Sequence, residues 1–210
     1  MGAVADNLKT LLAEVPAGVK LVAVSKFKPA EAILEAYAAG QRRFGENRPQ
    51  ELAAKAAALP ADIEWHFIGH LQTNKIKYVI PCASLIESVD SLHLLEAISA
   101  AAVARGVVVD CLLEVHVAAE ESTTGFTPDE AVSVASRSSV FPGVRLRGIM
   151  AMATNTSDEA RVRADFRTAH DVLLRTGLSE LSMGMSGDWR IAVEEGATII
   201  RIGSAIFGAR

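Results

Sequence analysis

The most constraining feature of this chain is an eightfold alternation. Short apolar runs of strand character recur through its 210 residues, and helical periodicity follows each of them. A short amphipathic helix over residues 6–14 opens the chain, and the first strand covers 20–25. Pro29 starts the next helix and Gly40 stops it, the ends that suit proline and glycine. Residues 43–45, 65–68 and 85–89 read as the second to fourth strands, with helices over 49–58 and near 74–79 between them. Ser91 caps a long helix that runs to Arg105. The fifth strand covers 107–117, and Thr127-Pro128-Asp129-Glu130 is a capped helix start. Strands over 145–152, 181–185 and 198–202 alternate with helices over 158–175 and 189–195 and complete the set.

Strands that alternate with helices pair in parallel. Eight such units in a chain of this length close economically into a barrel, since α/β barrels occupy ~200–250 residues. An open doubly wound sheet is the alternative, but no GxGxxG follows the first strand. The expected fold is therefore α/β: a single (β/α)8 TIM-type barrel over residues 1–210, with an extra N-terminal helix and no interdomain linker.

Composition removes several functions. A formal net charge of −4 and the absence of any Lys/Arg cluster exclude a nucleic-acid binder. The longest apolar runs, 107–109 and 98–104, fall short of the ~20 residues a membrane helix needs. The N-terminus lacks the charged start and apolar core of a signal peptide. Cys82 and Cys111, with no CxxC, read as reduced packed thiols. The expectation is a cytoplasmic monomer that binds neither nucleic acid nor membrane.

The first strand raises a chemical question, because LVAVSKFKP runs four apolar residues into Ser25 and Lys26. A snorkelling lysine at a strand end is one reading. The barrel supplies another, since functional groups collect where its strands end. Asn47 follows the second strand, His70 the third, Met150 and Met152 end the sixth, Ser186 the seventh, and Arg201, Gly203 and Ser204 the eighth. Barrels often hold phosphate with the loops after the last two strands. There Gly203-Ser204 offers backbone N–H groups and Ser186 a hydroxyl. A phosphate site across from a strand-end amine suits a phosphorylated aldehyde such as pyridoxal 5′-phosphate (PLP), to which lysine attaches as a Schiff base. Arg201 would lie between the two ends, near the ring. An always-charged guanidinium there keeps a pyridine nitrogen unprotonated and weakens the ring as an electron sink.

The stretches AVSKFKP, FGENRPQE, WHFIGHLQTNK, IESVDS and SMGMSGDWRIAVEEGATIIRIGSAIFG, taken together, resemble the pyridoxal phosphate homeostasis protein family from about Leu21 onward. The resemblance implies a fold-type III PLP barrel similar to the N-terminal domain of bacterial alanine racemase. It implies a Schiff base on Lys26, Arg201 facing the pyridine nitrogen, phosphate at Ser186, Gly203 and Ser204, and Asn47 near the cofactor. The implied role is vitamin B6 and amino-acid homeostasis, with PLP-dependent apoenzymes as recipients and no catalytic turnover, hence no catalytic residue. RPQ in place of the commoner YVQ after FGEN, and AMATN in place of a proline-containing loop, depart from the family only at the rim.

The competing readings are a PLP-dependent racemase or decarboxylase and a cofactor-free Schiff-base aldolase. Racemisation on this scaffold wants a tyrosine opposite the lysine, from a domain not expected in a chain ending at Arg210. The tyrosines present, Tyr37 and Tyr78, lie in helical contexts. The aldolase leaves Arg201 unexplained. His66 and His70 lack partners at metal-ligand spacing, so no metal is expected. His93 and His170 read as surface, His116 as packing, Trp65 and Trp189 as core or cofactor-adjacent packing, and Glu120-Glu121 and Glu194-Glu195 as solvated charges.

Overall fold

A computed structural model describes residues 2–119 and 124–208, so the readings at Glu120, Glu121 and Arg210 lie outside the described residues. Eight parallel strands close on themselves in chain order: β1 (Lys20–Val24), β2 (Arg43–Glu46), β3 (Glu64–Phe67), β4 (Ala83–Val89), β5 (Val109–Val115), β6 (Val144–Ala151), β7 (Glu180–Ser182) and β8 (Ile199–Ile202). Closure comes from β1, which pairs with β2 on one side and with β8 on the other, Lys20 opposite Ile199 and Ala23 opposite Ile202. The expected barrel is the one observed.

Helices wrap the sheet: α1 (Ala3–Glu14), α2 (Ala30–Ala38), α3 (Pro49–Ala58), α4 (Ile76–Val79), α5 (Leu92–Val103), α6 (Pro128–Ser136), α7 (Glu159–Thr176), α8 (Trp189–Glu194) and a closing turn, α9 (Ser204–Phe207). Ser91 caps α5, and Thr127 with Glu130 forms a full capping box on α6. The extra helix α1 begins at Ala3, ahead of the expected Asp6, and Asn7 ties it to α9 through a 3.1 Å bond to the Ile206 carbonyl.

Strand alternation divides the apolar interior in two. Val22, Leu85, Leu112, Met150 and Ile199, one each from β1, β4, β5, β6 and β8, form a small cluster in the lumen. A much larger cluster fills the shell between sheet and helices and includes Phe44, Phe67, Phe166 and both tryptophans. Burial of that shell is the main stabilising contribution, at ~25 cal/mol per Å² of apolar surface removed from water.

Strand ends shift by a residue or two from the sequence reading, and three of the shifts have a clear local reason. Val107 and Val108 are exposed, because β5 enters the sheet only at Val109, opposite Val144. β1 ends at Val24, and Ser25, whose N–H still donates to the Gly45 carbonyl of β2 at 3.0 Å, opens a turn. The seventh strand covers 180–182 and stops before Gly184, whose φ of +91° turns the chain. A Cβ at Gly184 would also sit 2.5 Å from that of Ala192, so this turn requires glycine twice over.

Candidate functional site

The C-terminal ends of β1, β2, β7 and β8 open onto a cavity of about 420 Å³. Lys26, Asn47, Ser186, Arg201, Gly203 and Ser204 all line it, so barrel closure gathers into one mouth the six residues that the sequence scatters. Lys28, Ile68, Met152 and Met185 line it too. The lining carries Lys26, Lys28 and Arg201 and, among the described residues, no carboxylate. In a chain of net charge −4 that is a local concentration of positive charge.

Each wall has its own support. The loop after β7 is tied to β8 by the Arg201 N–H donating to the Gly184 carbonyl at 3.0 Å, and within that loop Asp188 accepts from the Met185 N–H at 2.6 Å. Asn47 is clamped from behind by Gly69, where a Cβ would fall 2.3 Å from the Asn47 carbonyl oxygen. The Asn47 Oδ1 atom is buried without a hydrogen-bond partner, which is rare for an amide oxygen and points to a missing donor.

Arg201 is 5% exposed and belongs to a chain of buried polar groups across the lumen. Its Nη1 donates to Ser182 Oγ at 2.6 Å and its Nη2 to the Ala151 carbonyl at 3.1 Å. Ser182 in turn donates to Glu87 Oε2 at 2.5 Å, and His66 Nδ1 lies 2.5 Å from Glu87 Oε1. Because β4 and β7 are not neighbours in the barrel, the Ser182–Glu87 bond spans its interior. The Arg201 guanidinium lies 3.7 Å from Glu87 Oε2, so a buried cation meets a buried anion. Burial pushes the Glu87 carboxyl up, yet the His66 bond and charge, Arg201 and Ser182 outweigh it and hold the group below its ordinary value.

On the outer side of the sheet, Ser25, Glu46, Glu51 and Lys55 form a second polar group beneath the Lys26 turn. Lys55 Nζ donates to the Ser25 carbonyl at 2.8 Å and to Glu46 Oε1 and Glu51 Oε1 at 2.7 Å each. Ser25 Oγ donates to Glu46 Oε1 at 2.6 Å. Burial raises the Glu46 carboxyl above its ordinary value in spite of these bonds.

Sequence reasoning missed Glu87, Ser182, Glu46, Glu51 and Lys55. A signal existed for two of them, since Glu87 interrupts the apolar run LIESV and Glu46 ends RFGE, both in barrel strands, and buried carboxylates need partners. Other residues weighed from sequence now have places. His70 is exposed and pairs with Asp90 at 2.9 Å, and His66 serves Glu87. No cluster of three or more His, Cys, Asp or Glu among the described residues suits a metal ion. His93 is exposed, whereas His170 is half-buried against Gly196. Trp65 and Trp189 are core.

Near the C-terminal end of β5, burial and the neighbouring Asp90 charge push the Glu114 carboxyl up from 4.5 to about 7, against the pull of Arg201 and His70. Between those pH values the folded protein keeps a proton that the unfolded chain has shed. The group therefore makes stability fall as pH rises through this window, by about 3 kcal/mol in all. Denaturant titrations at pH 5 and pH 7.5 are expected to show this loss in the wild type and its disappearance in Glu114→Gln. An identical difference in both proteins would refute the assignment.

Comparison with known proteins agrees with the geometry. The family model described as alanine racemase, N-terminal domain, matches residues 1–210. A pyridoxal phosphate homeostasis protein of Pseudomonas aeruginosa is 40% identical over 224 aligned residues, covering 100% of this chain and 97% of the relative. This chain belongs to the pyridoxal phosphate homeostasis protein family. Among solved structures, PipY of Synechococcus elongatus without PLP superposes with a TM-score of 0.91 at 40% identity, covering 98% of this chain and 100% of that one. The same protein with PLP bound gives 0.89 at 39% identity, with the same coverage. Alanine racemase from Bartonella henselae is 19% identical with a TM-score of 0.79, covering 99% of this chain and 58% of that one, a likeness of fold alone. The family's curated relatives are named for homeostasis and not for a reaction.

Proposed function

We propose that this protein binds PLP in the barrel mouth and takes part in intracellular PLP and amino-acid homeostasis as a carrier without turnover. One observation carries the reading: a cavity lined by three cations and, among the described residues, no carboxylate, with an amine on one side and hydroxyls and a glycine turn on the other. Its size lies within the ~300–1,000 Å³ typical of small-molecule sites. The unpartnered Asn47 Oδ1 is a further fit, as an acceptor awaiting a ligand donor. The family's PLP-bound member supports the same ligand.

In this reading Lys26 is the covalent anchor, Ser186, Gly203 and Ser204 hold the phosphate, Asn47 contacts the ring edge, and Arg201 faces the ring nitrogen. Bound PLP supplies an aldehyde and an electron-withdrawing ring. The Arg201 guanidinium, 3.7 Å from the buried Glu87 carboxylate, opposes protonation of the ring and favours holding the cofactor over using it. The tyrosine that two-base racemisation wants is missing from the lining. Tyr37 donates its hydroxyl to Asp62 at 2.7 Å, and Tyr78 sits on α4. The chain acts in this account as one barrel domain, a cytoplasmic monomer that passes PLP to PLP-dependent apoenzymes. Among the described residues no helix is long and apolar enough to cross a membrane.

The test is an absorbance titration with PLP and with pyridoxal. Charge-assisted bonds contribute roughly 1.5–3 kcal/mol each, so losing two of them with the phosphate is expected to weaken binding at least ~100-fold. Equal affinity for the two aldehydes would remove the phosphate site from the proposal.

A further inference from the structure

Lys26 occupies a turn whose backbone is not the easy one for its sequence. The Lys28 N–H donates to the Ser25 carbonyl at 3.0 Å, which makes Ser25–Lys28 a hydrogen-bonded four-residue turn with Lys26 and Phe27 at its centre. Phe27 has φ +61°, the only positive φ at a non-glycine among the described residues. A positive φ at the third turn position alone defines type II, which ordinarily puts glycine there. A side chain in that conformation costs ~1–2 kcal/mol. The sterically easier alternative is type I, reached by flipping the Lys26–Phe27 peptide, which swings ψ of Lys26 from about +120° to about −30°.

The N–H of that same peptide is held. Phe27 N donates to Glu51 Oε1 at 2.7 Å, and the Glu51 oxygen is fixed by Lys55. Lys55 also holds the Ser25 carbonyl and Glu46, so all three ammonium protons are engaged with acceptors around the turn. Arg48 closes the outer side, its guanidinium 4.4 Å from the centre of the Phe27 ring. A flipped peptide would point a carbonyl at the Glu51 carboxylate instead of an N–H.

We infer that Glu51, backed by Lys55 and Glu46, is a positioning residue that locks the Lys26–Phe27 peptide in the type II orientation and so aims the Lys26 amine at its aldehyde. The inference rests on Lys26 being the anchor. The step it governs is the addition of the amine nitrogen to the aldehyde carbon, with loss of the two nitrogen protons and departure of the carbonyl oxygen as water. The lock acts on the amine and not on the phosphate wall, which belongs to other loops. It therefore separates covalent capture from plain binding.

The experiment measures the rate of borohydride-fixable attachment of PLP at Lys26, by absorbance and peptide mapping, beside the affinity for pyridoxine 5′-phosphate, which has no aldehyde. Glu51→Ala is expected to slow attachment at least tenfold while pyridoxine 5′-phosphate binding stays within threefold of wild type. Glu51→Gln keeps an oxygen for the Phe27 N–H and is expected to restore the rate to within threefold. Phe27→Gly removes the penalty for the left-handed backbone, so in that background Glu51→Ala is expected to cost threefold or less. A wild-type rate in Glu51→Ala, or equal weakening of both ligands, would overturn the inference. A wild type that binds pyridoxine 5′-phosphate yet fixes no PLP at Lys26 would instead overturn the anchor assignment.

Discussion

Replacement of Lys26 by alanine is expected to abolish borohydride-fixable PLP on this protein while the barrel stays folded. The side chain springs from a turn beyond the last residue of β1 and belongs to neither apolar cluster, so its truncation opens no core cavity. What it removes is an amine at the edge of a cavity whose remaining cations are committed. Lys28, the other lysine of the lining, donates to the carbonyls of Phe207 at 3.0 Å and Gly208 at 3.2 Å, and Arg201 is bound by Ser182 and Ala151. Neither is placed to take over. Phosphate contacts should survive, so the variant is expected to retain reversible PLP binding with the spectrum of the free aldehyde. Peptide mapping after reduction checks the claim, and stoichiometric label on Lys28 would defeat it.

That prediction draws on the part of the molecule the sequence states most openly. Strand runs separated by capped helices dictate a barrel, and a barrel dictates that residues ending different strands meet. Lys26, Asn47, Ser186, Arg201, Gly203 and Ser204 needed no side-chain geometry to be grouped, only their positions at or just past the C-terminal ends of β1, β2, β7 and β8. The braces behind them were harder to read. Whether Glu87 meets Ser182, His66 or Asp90 depends on the stagger of strands around the barrel, and hydrophobic period is silent about stagger. The Phe27 backbone was hidden for a different reason, since glycine is the residue that advertises a positive φ. Similarly, β7 shortened because Gly184 spends its conformational freedom in turning the chain, which an apolar LSM run does not reveal.

The lumen brace yields the second large effect. Glu87→Ala is expected to destabilise the protein by about 3–5 kcal/mol, the cost of removing one partner of a buried ion pair and leaving the other charge uncompensated. Typical stabilities are ~5–15 kcal/mol, so such a loss is visible as a large fall in the denaturant midpoint. Ser182 would lose its acceptor and His66 its partner at the same time, and both are buried. Glu87→Gln separates charge from hydrogen bonding: it keeps an acceptor in the lumen and removes the anion facing Arg201, so a smaller loss is expected. Acid titration adds a second readout. The folded carboxyl of Glu87 is held below its ordinary value of 4.5, so its contribution is fully present above that pH and disappears as pH falls through the lower folded value. Glu87→Gln should therefore lose less stability on acidification than wild type does. A Glu87→Ala protein within 1 kcal/mol of wild type at pH 7 would mean that water or a rearranged Arg201 replaces the anion at little cost. In that case Glu87 does not fix the guanidinium, and the argument that this carboxylate helps hold its charge on the ring nitrogen would fall with it.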